Sequence, residues 1–450
     1  MQGDFTRLTY DPAKRYSRVL MQQGRVQLDA DWNELVAMQL HFLRALAADL
    51  IGPYGGPGDS FLVKIVKDDK NQDMVTIQTG HYYVAGILCE NLAQLLYTEQ
   101  QGSPPPLGNG KYYLLYLDVW ERHLTFIEDE NDNRVGIREV ALRGPDTATR
   151  AQIVWQVKPI ELSPPSDLPQ PGDPKRPGIL RTLGDTAQNS LHELSDARLK
   201  AHTKTQLSDD NPCIISPASQ YRGAENQLYR VEIHQSGKGW DGAQQTQGAA
   251  GAFKWSRENG SVIFPITSVG ADYVILENLG RDARFGLSPN DWVEIVDDDS
   301  VLQNRAAAPP LLQIKEIDTE NMKVTMNTPT PFGVGADATK HPILRRWDSP
   351  GAITIQVPAA NDGWIALEDG IEIRFEIDAN SSFRAADYWL IPARTATGDV
   401  EWPGPPDNPL PRQPQGVRHH YAPLAVISVN ANGGITSEVD MRRKWTTLAN

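Results

Sequence analysis

The stretch QQGRVQLDADWNELVAMQLHFLRALAADLI, residues 22–51, holds the clearest helix pattern in the chain, and the remaining sequence is organised around it. Asp31 followed by Glu34 fits a capping box, in which two unpaired backbone N–H groups at a helix start are satisfied together. Gly52-Pro53 predicts the helix end, because glycine accepts the left-handed cap and proline cannot continue the hydrogen-bond ladder. We therefore expect a helix of about twenty residues, roughly 30 Å long.

The apolar residues of this helix recur at three- and four-residue steps, which places them on one face. They are Leu35, Met38, Phe42, Leu46 and Leu50, and the face is widened by Val36, Leu43 and Ala47. Two interpretations stay open. The helix packs on the sheet of its own domain, or it packs against other subunits, because little neighbouring sequence could cover so wide a face.

Outside this helix the sequence predicts β-structure. From Phe61 onward, runs such as HYYVAGILCE and KYYLLYLDVWERHLTFIE are rich in aromatic and β-branched residues and are separated by turn clusters. GLSPNDWVEIVDD followed by LLQIKEIDTENMKVTM has the strand-turn-strand rhythm of a small β-barrel. The predicted fold is mainly β: several antiparallel sandwich or small-barrel modules, with one long N-terminal helix and proline-rich connecting loops.

Changes in composition divide the chain into five segments. Residues 1–58 form an N-terminal arm and helix for docking or oligomerisation, 59–162 a first β domain, 163–226 a proline-rich insertion or linker, 227–346 a second β domain and 347–450 a C-terminal β domain. Within the proline-rich segment, NSLHELSDARLKAHTK (residues 189–204) indicates a short helix.

Charge and composition argue against several function classes. The formal net charge of −14 over 450 residues disfavours nucleic acid, whose phosphates demand a basic surface. No apolar stretch is long enough to predict a membrane span, and the first residues lack the apolar core of a signal peptide, so we expect synthesis in the cytoplasm. Two cysteines, Cys89 and Cys213, are too few for a disulfide framework or a zinc cluster, and whether they pair stays open.

The sequence contains no nucleophile elbow, phosphate-binding loop or dinucleotide fingerprint, and we expect no catalytic residue, cofactor or metal. His419 and His420 are adjacent, and neighbouring side chains on a strand point to opposite faces, so the pair cannot share one metal ion. Trp402 lies beside Pro403 in a loop, whereas most other tryptophans fall inside strand patterns that fill cores. Trp402, His419 and His420 are therefore the candidate ligand contacts.

Several long phrases resemble one protein family. They are QGDFTR, QQGRVQLDADWNE, LYLDVWERHLTFIED, LRGPDTATRAQIVWQVK, FKWSRENGSV, DWVEIVDD, WIALEDGIEIRFE, DYWLIPART and HHYAPLAV. The family is β-rich, has no assigned function and is encoded beside phage-tail-like contractile injection systems. The resemblance covers nearly the whole chain. It implies a structural component of the injection-system particle, at the baseplate, spike or fibre end, and it carries over no catalytic motif.

The function predicted on these grounds is structural assembly: a homo-oligomer, trimer or hexamer, that forms a shell or extension at the baseplate or spike end. Its partners are further copies and other baseplate or spike subunits, without nucleic acid and without a direct membrane span. The predicted docking residues are the apolar side chains of the arm and helix: Phe5, Leu20, Val26, Leu28, Trp32, Leu35, Met38, Phe42, Leu46 and Leu50. The alternatives are a receptor- or glycan-binding tail-tip protein and, less favoured, a polysaccharide-cleaving enzyme with facing carboxylates.

Overall fold

A computed structural model describes residues 1–102, 104–129, 136–139, 141, 146–191, 197–203, 220–239, 250–280, 285–302, 309–356, 363–376 and 382–445. The fold is mainly β, as predicted, and the described α-helices are α1 (Asp29–Ile51), α2 (Arg176–Asn189) and α3 (Asp298–Leu302). In this part of the chain, none of the helices has the length and hydropathy that crossing a membrane requires. Cys89 is buried, which raises the pKa of its thiol to about 12, and Cys213 lies outside the described residues.

The strands are numbered in chain order. They are β1 (Tyr54–Pro57), β2 (Val63–Lys67), β3 (Asp73–Ile77), β4 (Gly80–Val84), β5 (Ile87–Asn91), β6 (Leu95–Leu96), β7 (Lys111–Leu124), β8 (Arg150–Leu162), β9 (Arg198–Thr203), β10 (Gln227–Gln235), β11 (Gly237–Lys238), β12 (Ala252–Ser256), β13 (Ile263–Val269), β14 (Tyr273–Leu276), β15 (Trp292–Val296), β16 (Leu311–Asp318), β17 (Lys323–Met326), β18 (Ile343–Trp347), β19 (Ile353–Thr354), β20 (Ile365–Ala366), β21 (Ile371–Glu376), β22 (Ser382–Phe383), β23 (Tyr388–Arg394), β24 (Asp399–Val400), β25 (His420–Val429), β26 (Ile435–Asp440) and β27 (Lys444–Trp445).

The first module combines strands from both ends of the chain. Its sheets have the orders β26-β25-β7-β8, β27-β1-β4-β5 and β2-β3-β6. The long strand β7 pairs antiparallel with β8 along thirteen residues and with β25 on its other edge. The sheets enclose one apolar core, and α2 packs against the outer face of the first of them through Leu180, next to Val426 and Met441.

The second module is a sandwich, and a barrel is inserted into it. A five-stranded sheet with the order β19-β12-β10-β23-β24 packs against the sheet β20-β21-β9 and the pair β11-β22, around an aromatic core. Between β12 and β19 the chain forms a closed six-stranded barrel with the order β13-β14-β17-β16-β15-β18. This barrel contains the segments whose rhythm predicted one.

Strand pairing divides the chain differently from the five predicted segments. Residues 347–450 do not form a module of their own, because β19 to β24 complete the second module and β25 to β27 complete the first. A short helix was predicted within residues 189–204. Residues 192–196 of this segment lie outside the described residues, and the part after them is not helical, because β9 pairs with β21. The described helix α2 ends at Asn189, and a proline in its first turn is compatible with a helix start.

Helix α1 ends where the sequence predicts and begins three residues earlier, with Leu28 in place of Asp31 as the N-cap. Gly52 follows the last helical residue with φ of 93° and donates its N–H to the carbonyl of Ala48. The predicted capping box at Asp31 and Glu34 is wrong, because the N-cap is Leu28 and no side chain caps the first turn. Asp29 and Glu34 accept hydrogen bonds from the arm instead, since Thr6 donates to Asp29 and Thr9 donates to Glu34 at 2.5 Å.

Candidate functional site

The first residues of the chain lie across the second module. Asn259 donates to the carbonyl of Gly3 at 2.8 Å, and Arg394 donates to the carbonyl of Thr6 at 2.9 Å. Phe5 packs on an apolar cluster of the same module, formed by Leu228, Tyr388 and Leu390. Phe5 was predicted to dock another subunit, yet its own chain covers much of its ring.

The arm then leaves this module before α1 begins. From residue 11 to residue 28 almost every side chain is exposed, and the one described helical turn is a short 3-10 helix at Pro12–Lys14. Three of the predicted docking residues, Leu20, Val26 and Leu28, are exposed in this stretch. The arm therefore presents apolar side chains to solvent immediately before the helix.

The face of α1 that lies on the first module is made mostly of small residues. Ala30 and Met38 are buried, and Ala37, Ala45 and Ala48 are partly buried. The tight turn between β4 and β5 touches the backbone of this face. Gly86 sits there with φ of +76°, and a Cβ at this position would overlap the carbonyl of Arg44. Close backbone approach at Gly86, together with the buried side chain of Met38, holds the helix on the first module.

An ion pair fixes α1 to the central sheet of the first module. The guanidinium of Arg44 donates to both carboxylate oxygens of Glu121 on β7, at 3.0 and 2.8 Å. Such two-point pairs fix orientation as well as distance. His420, at the start of β25, lies close to this pair, and burial followed by the charge of Arg44 lowers the pKa of His420.

The opposite side of α1, called here the outer face, carries large apolar side chains in solvent. Trp32 is 70% exposed, Leu43 63% and Leu50 78%. Val36, Leu40, Phe42 and Leu46 are also exposed. Of the predicted docking residues in the helix, Met38 belongs to the inner face and Leu35 is partly buried, whereas the others are open to solvent. In α1 the large apolar side chains point to solvent and the small ones point to the protein. A helix that packs only on its own sheet has the opposite arrangement.

The outer face has the spacing of a coiled-coil seam. Its residues follow one another at alternating steps of four and three: Trp32, Val36, Gln39, Leu43, Leu46 and Leu50. This alternation is the a and d pattern of heptads, which keeps one stripe of a helix facing its partners. Gln39 is the one polar member, and a single polar residue in such a stripe commonly specifies register. Leu40, Phe42 and Ala47 flank the stripe and make it wider than a two-helix seam requires.

A second candidate site is a cavity of about 300 Å³ between the modules, called here the central cavity. Its walls come from the end of β7, from β10 of the second module and from β15 and β18 of the barrel. Trp120 and Tyr388 contribute aromatic walls, and twelve of the other lining side chains are charged. Pockets at domain junctions with a few converging polar groups are the usual location of small-ligand sites.

Most charges in the central cavity are paired with one another. Lys254 donates to both oxygens of Glu294, at 2.8 and 2.7 Å, and lies 3.4 Å from Glu232. Arg230 donates from Nε to Glu232 at 2.6 Å. Burial alone would raise the pKa of Glu232, but Arg230 and Lys254 outweigh it and hold this pKa at about 2. This network is therefore ionised and self-neutralising.

Two basic side chains at the cavity stand outside this network. Among the residues that the structure describes, the guanidinium of Arg345 on β18 has no hydrogen-bond or ion-pair partner, and its Nε is buried. The Nε2 atom of His123 on β7 is likewise buried without a partner. Burial is the main reason that the pKa of Arg345 is lowered and that the pKa of His123 falls to about 3, so this imidazole is neutral.

Two aspartate-oriented histidines complete the lining. Nδ1 of His419 lies 2.7 Å from Asp118, and its ring stacks on Trp120 with centroids 4.8 Å apart. Nδ1 of His341 lies 2.8 Å from Asp298. An aspartate on Nδ1 fixes the ring orientation and favours the tautomer that leaves Nε2 as an acceptor. His419, a predicted ligand contact, therefore does face a cavity.

The other two predicted ligand contacts lie elsewhere. His420 points away from His419, toward Arg44, as the alternation of a strand requires. Trp402 packs against the second core, donates Nε1 to the carbonyl of Leu410 at 2.9 Å and has the guanidinium of Arg412 over its ring. Trp402 is thus a partly covered side chain, and glycan binding through it remains a prediction.

Sequence reasoning missed the charged lining of the central cavity, although the strands contained a signal. Lys254, Glu294 and Arg345 each interrupt an apolar strand at its middle, in FKWS, WVEIV and ILRRW. A charge at such a position is costly unless partners arrive from other elements. The pairing of distant strands decides which partners those are. Among the described residues, no group of three or more His, Cys, Asp or Glu side chains is arranged to hold a metal ion.

Comparison with known proteins identifies a family whose function is unknown. The model of a family of unknown function, DUF6519, matches residues 1–164 and 186–448. No curated protein and no solved structure matches the chain.

Proposed function

The chain belongs to DUF6519, a family of unknown function, and from this premise we propose that it is a structural assembly protein whose copies associate through the outer face of α1. The observation that carries this proposal is the exposed heptad stripe from Trp32 to Leu50, backed by an inner face of small residues. The sequence resemblance to proteins encoded beside phage-tail-like contractile injection systems supports the second part of the proposal: the oligomer is a component of such a particle, at its baseplate or spike end.

The exposed side chains offer an association energy comparable with the cost of association. Complete burial of one large apolar side chain contributes about 1.5–3 kcal/mol. The five apolar members of the stripe are 38–78% exposed, so their burial contributes roughly 5–9 kcal/mol per helix. Association costs roughly 4–15 kcal/mol in lost freedom and ordering. In a bundle of three helices, each copy contributes the free energy of burying its own apolar stripe. The apolar flanks at Leu40 and Phe42 also favour more than two helices, and we therefore expect a trimer in solution.

The test is the mass of the full chain in solution, measured by light scattering during gel filtration. We expect wild-type protein to be trimeric and Leu43→Glu to be monomeric, because three glutamates would meet in the apolar seam. Leu92→Glu is the matched control. It places the same charge on a leucine that is 89% exposed but lies in a loop outside α1, and its mass should equal that of wild type. An oligomer that survives Leu43→Glu, or a monomeric wild type, contradicts association through this face.

Membership of an injection-system particle has its own test. In cells that make such particles, the wild-type chain should sediment with them in an ultracentrifuge, and Leu43→Glu should stay in the supernatant. If wild-type protein never sediments with the particles, the particle assignment fails, and self-association is judged by the mass measurement alone.

A further inference from the structure

Arg345 places a guanidinium group in the central cavity, and no described residue forms a hydrogen bond with it. Arg345 lies on β18 of the barrel, and its side chain lines the space between the barrel, β7 and β10. Glu232 and Glu294 also face this space, but they bond Arg230 and Lys254. None of the described residues lies within hydrogen-bonding or ion-pairing distance of the Arg345 guanidinium.

The remaining nearby carboxylate is also engaged elsewhere. Glu128 accepts from the backbone N–H of Thr125 at 2.8 Å and from its hydroxyl at 2.5 Å. Asp298, further along the cavity, bonds Arg122 at 2.8 Å and faces His341. A guanidinium carries five N–H donors in a rigid plane, and leaving the buried Nε of Arg345 without an acceptor is costly. The observed arrangement therefore lacks an acceptor of matching shape.

We propose that the central cavity binds a small oxyanion ligand, a carboxylate or a phosphate, whose oxygens accept from Arg345. Planar guanidinium groups pair with two oxygens of such anions at once, which gives both charge compensation and orientation. The volume of about 300 Å³ admits a ligand of metabolite size. Trp120 and Tyr388 supply apolar walls for its body, and His419 supplies an acceptor for a hydroxyl group. This role does not involve the outer face of α1.

The neutral imidazole of His123 fits this proposal. A protonated His123 would add a further cation to a space that already contains Arg230, Lys254 and Arg345. As a neutral ring its buried Nε2 has no partner among the described residues, and it lies beside the arm near Gly3. The arm thus closes one end of the cavity, and a ligand enters from another.

Titration calorimetry on the full-length protein tests the site with two probes, inorganic phosphate and glucuronate, at constant ionic strength. Glucose serves as the uncharged counterpart of glucuronate. We expect at least one of the two anions to bind and glucose not to bind. Which anion binds decides between the phosphate and the carboxylate class. Failure of both anions to bind at millimolar concentration overturns the proposal.

Arg345→Met is the decisive variant, because methionine fills similar space without the guanidinium. We expect anion affinity to fall about 10- to 100-fold, the loss typical of a hydrogen-bonded charge. Arg345→Lys should retain the charge and lose the two-point geometry. Its anion affinity should lie between those of Arg345→Met and wild type. Arg418→Met makes the same change on an exposed arginine near the cavity rim and should bind as wild type does.

Folding of the variant is checked by its melting temperature without ligand. Removing an unpaired buried cation should leave this temperature equal to that of wild type or raise it. Equal anion affinity in Arg345→Met and wild type would place binding elsewhere and overturn the assignment. A large drop in the unliganded melting temperature would also contradict it, because Arg345 would then be a structural residue with bonds inside the protein.

Discussion

At the scale of single residues, the central cavity is governed by how each buried charge is paired. Glu232 stays ionised because Arg230 and Lys254 outweigh the effect of its burial, whereas His123 has no charged partner of this kind and stays neutral. Glu294 is bonded by Lys254. Buried pairs of this kind contribute little net stability, but they penalise the loss of either partner. The sequence could show that charges interrupt apolar strands. It could not show which of them meet, because the partners come from β10, β12, β15 and β18.

The first prediction concerns Lys254, which bridges Glu294 and Glu232. Lys254→Met should lower the free energy of unfolding by about 3–5 kcal/mol, because Glu294 would remain buried without its cation and Glu232 would keep Arg230 alone. Adding Glu294→Gln should recover part of this loss, since the unpaired charge is removed. Thermal and urea unfolding of the two variants measures both values. Equal stability of the single variant and wild type would mean that water reaches these carboxylates.

The second residue-scale prediction concerns pH. The pKa of His123 is lowered to about 3, chiefly by burial, against about 6.5 in an unfolded chain. Between these values the unfolded state binds a proton that the folded state refuses, so stability falls as pH drops below about 6.5. The slope is about 1.4 kcal/mol per pH unit for this group. His123→Phe should therefore lose about 2 kcal/mol less than wild type between pH 6.5 and pH 5, as measured by urea unfolding. Identical losses would show that His123 takes up its proton in the folded state.

At the scale of elements, α1 shows what a periodic pattern can and cannot predict. The pattern predicted the helix and its end at Gly52, and both are confirmed. It did not predict which face of the helix packs on the protein. Met38, which is buried, and Phe42, which is exposed, belong to the same series of three- and four-residue steps. The contact with Gly86 selects the stripe, and that contact depends on a turn between β4 and β5 that lies far along the chain. The predicted cap failed for a related reason: Asp29 and Glu34 are engaged by the arm.

The seat of α1 yields an element-scale prediction. Gly86→Ala should lift the helix from the first module, because the added Cβ would overlap the carbonyl of Arg44. Gly58→Ala is the matched control: Gly58 also has a positive φ, of +53°, but an added Cβ meets nothing within 4 Å. Hydrogen exchange should accelerate in α1 for Gly86→Ala alone and stay unchanged in β7 for both variants. Equal exchange of α1 in the two variants would mean that backbone strain, and not the close contact, is responsible.

At the scale of the whole molecule, the sequence predicted the class of fold and one of its barrels, but not the way in which modules are closed. Alternating strands and turn clusters are local signals, and they indicated sandwich or barrel modules. Residues 347–450 looked like a further domain because their strands are as regular as the others. Their partners, however, are β7, β1 and β10, and local sequence carries no information about pairing over such separations.

The pairing of β25 with β7 also means that β7 is synthesised long before its partner strand. Asp118 and His419, which face each other across this pairing, are 301 positions apart. At about 5–20 residues per second, a ribosome needs roughly 15–60 s to travel that distance. The barrel, made of consecutive strands, can close while the nascent chain still lacks half of the first sheet. During this interval β7 has an open edge that any other strand can join. The first module, on which α1 rests, is therefore completed last, and α1 leaves the ribosome long before its own support is finished.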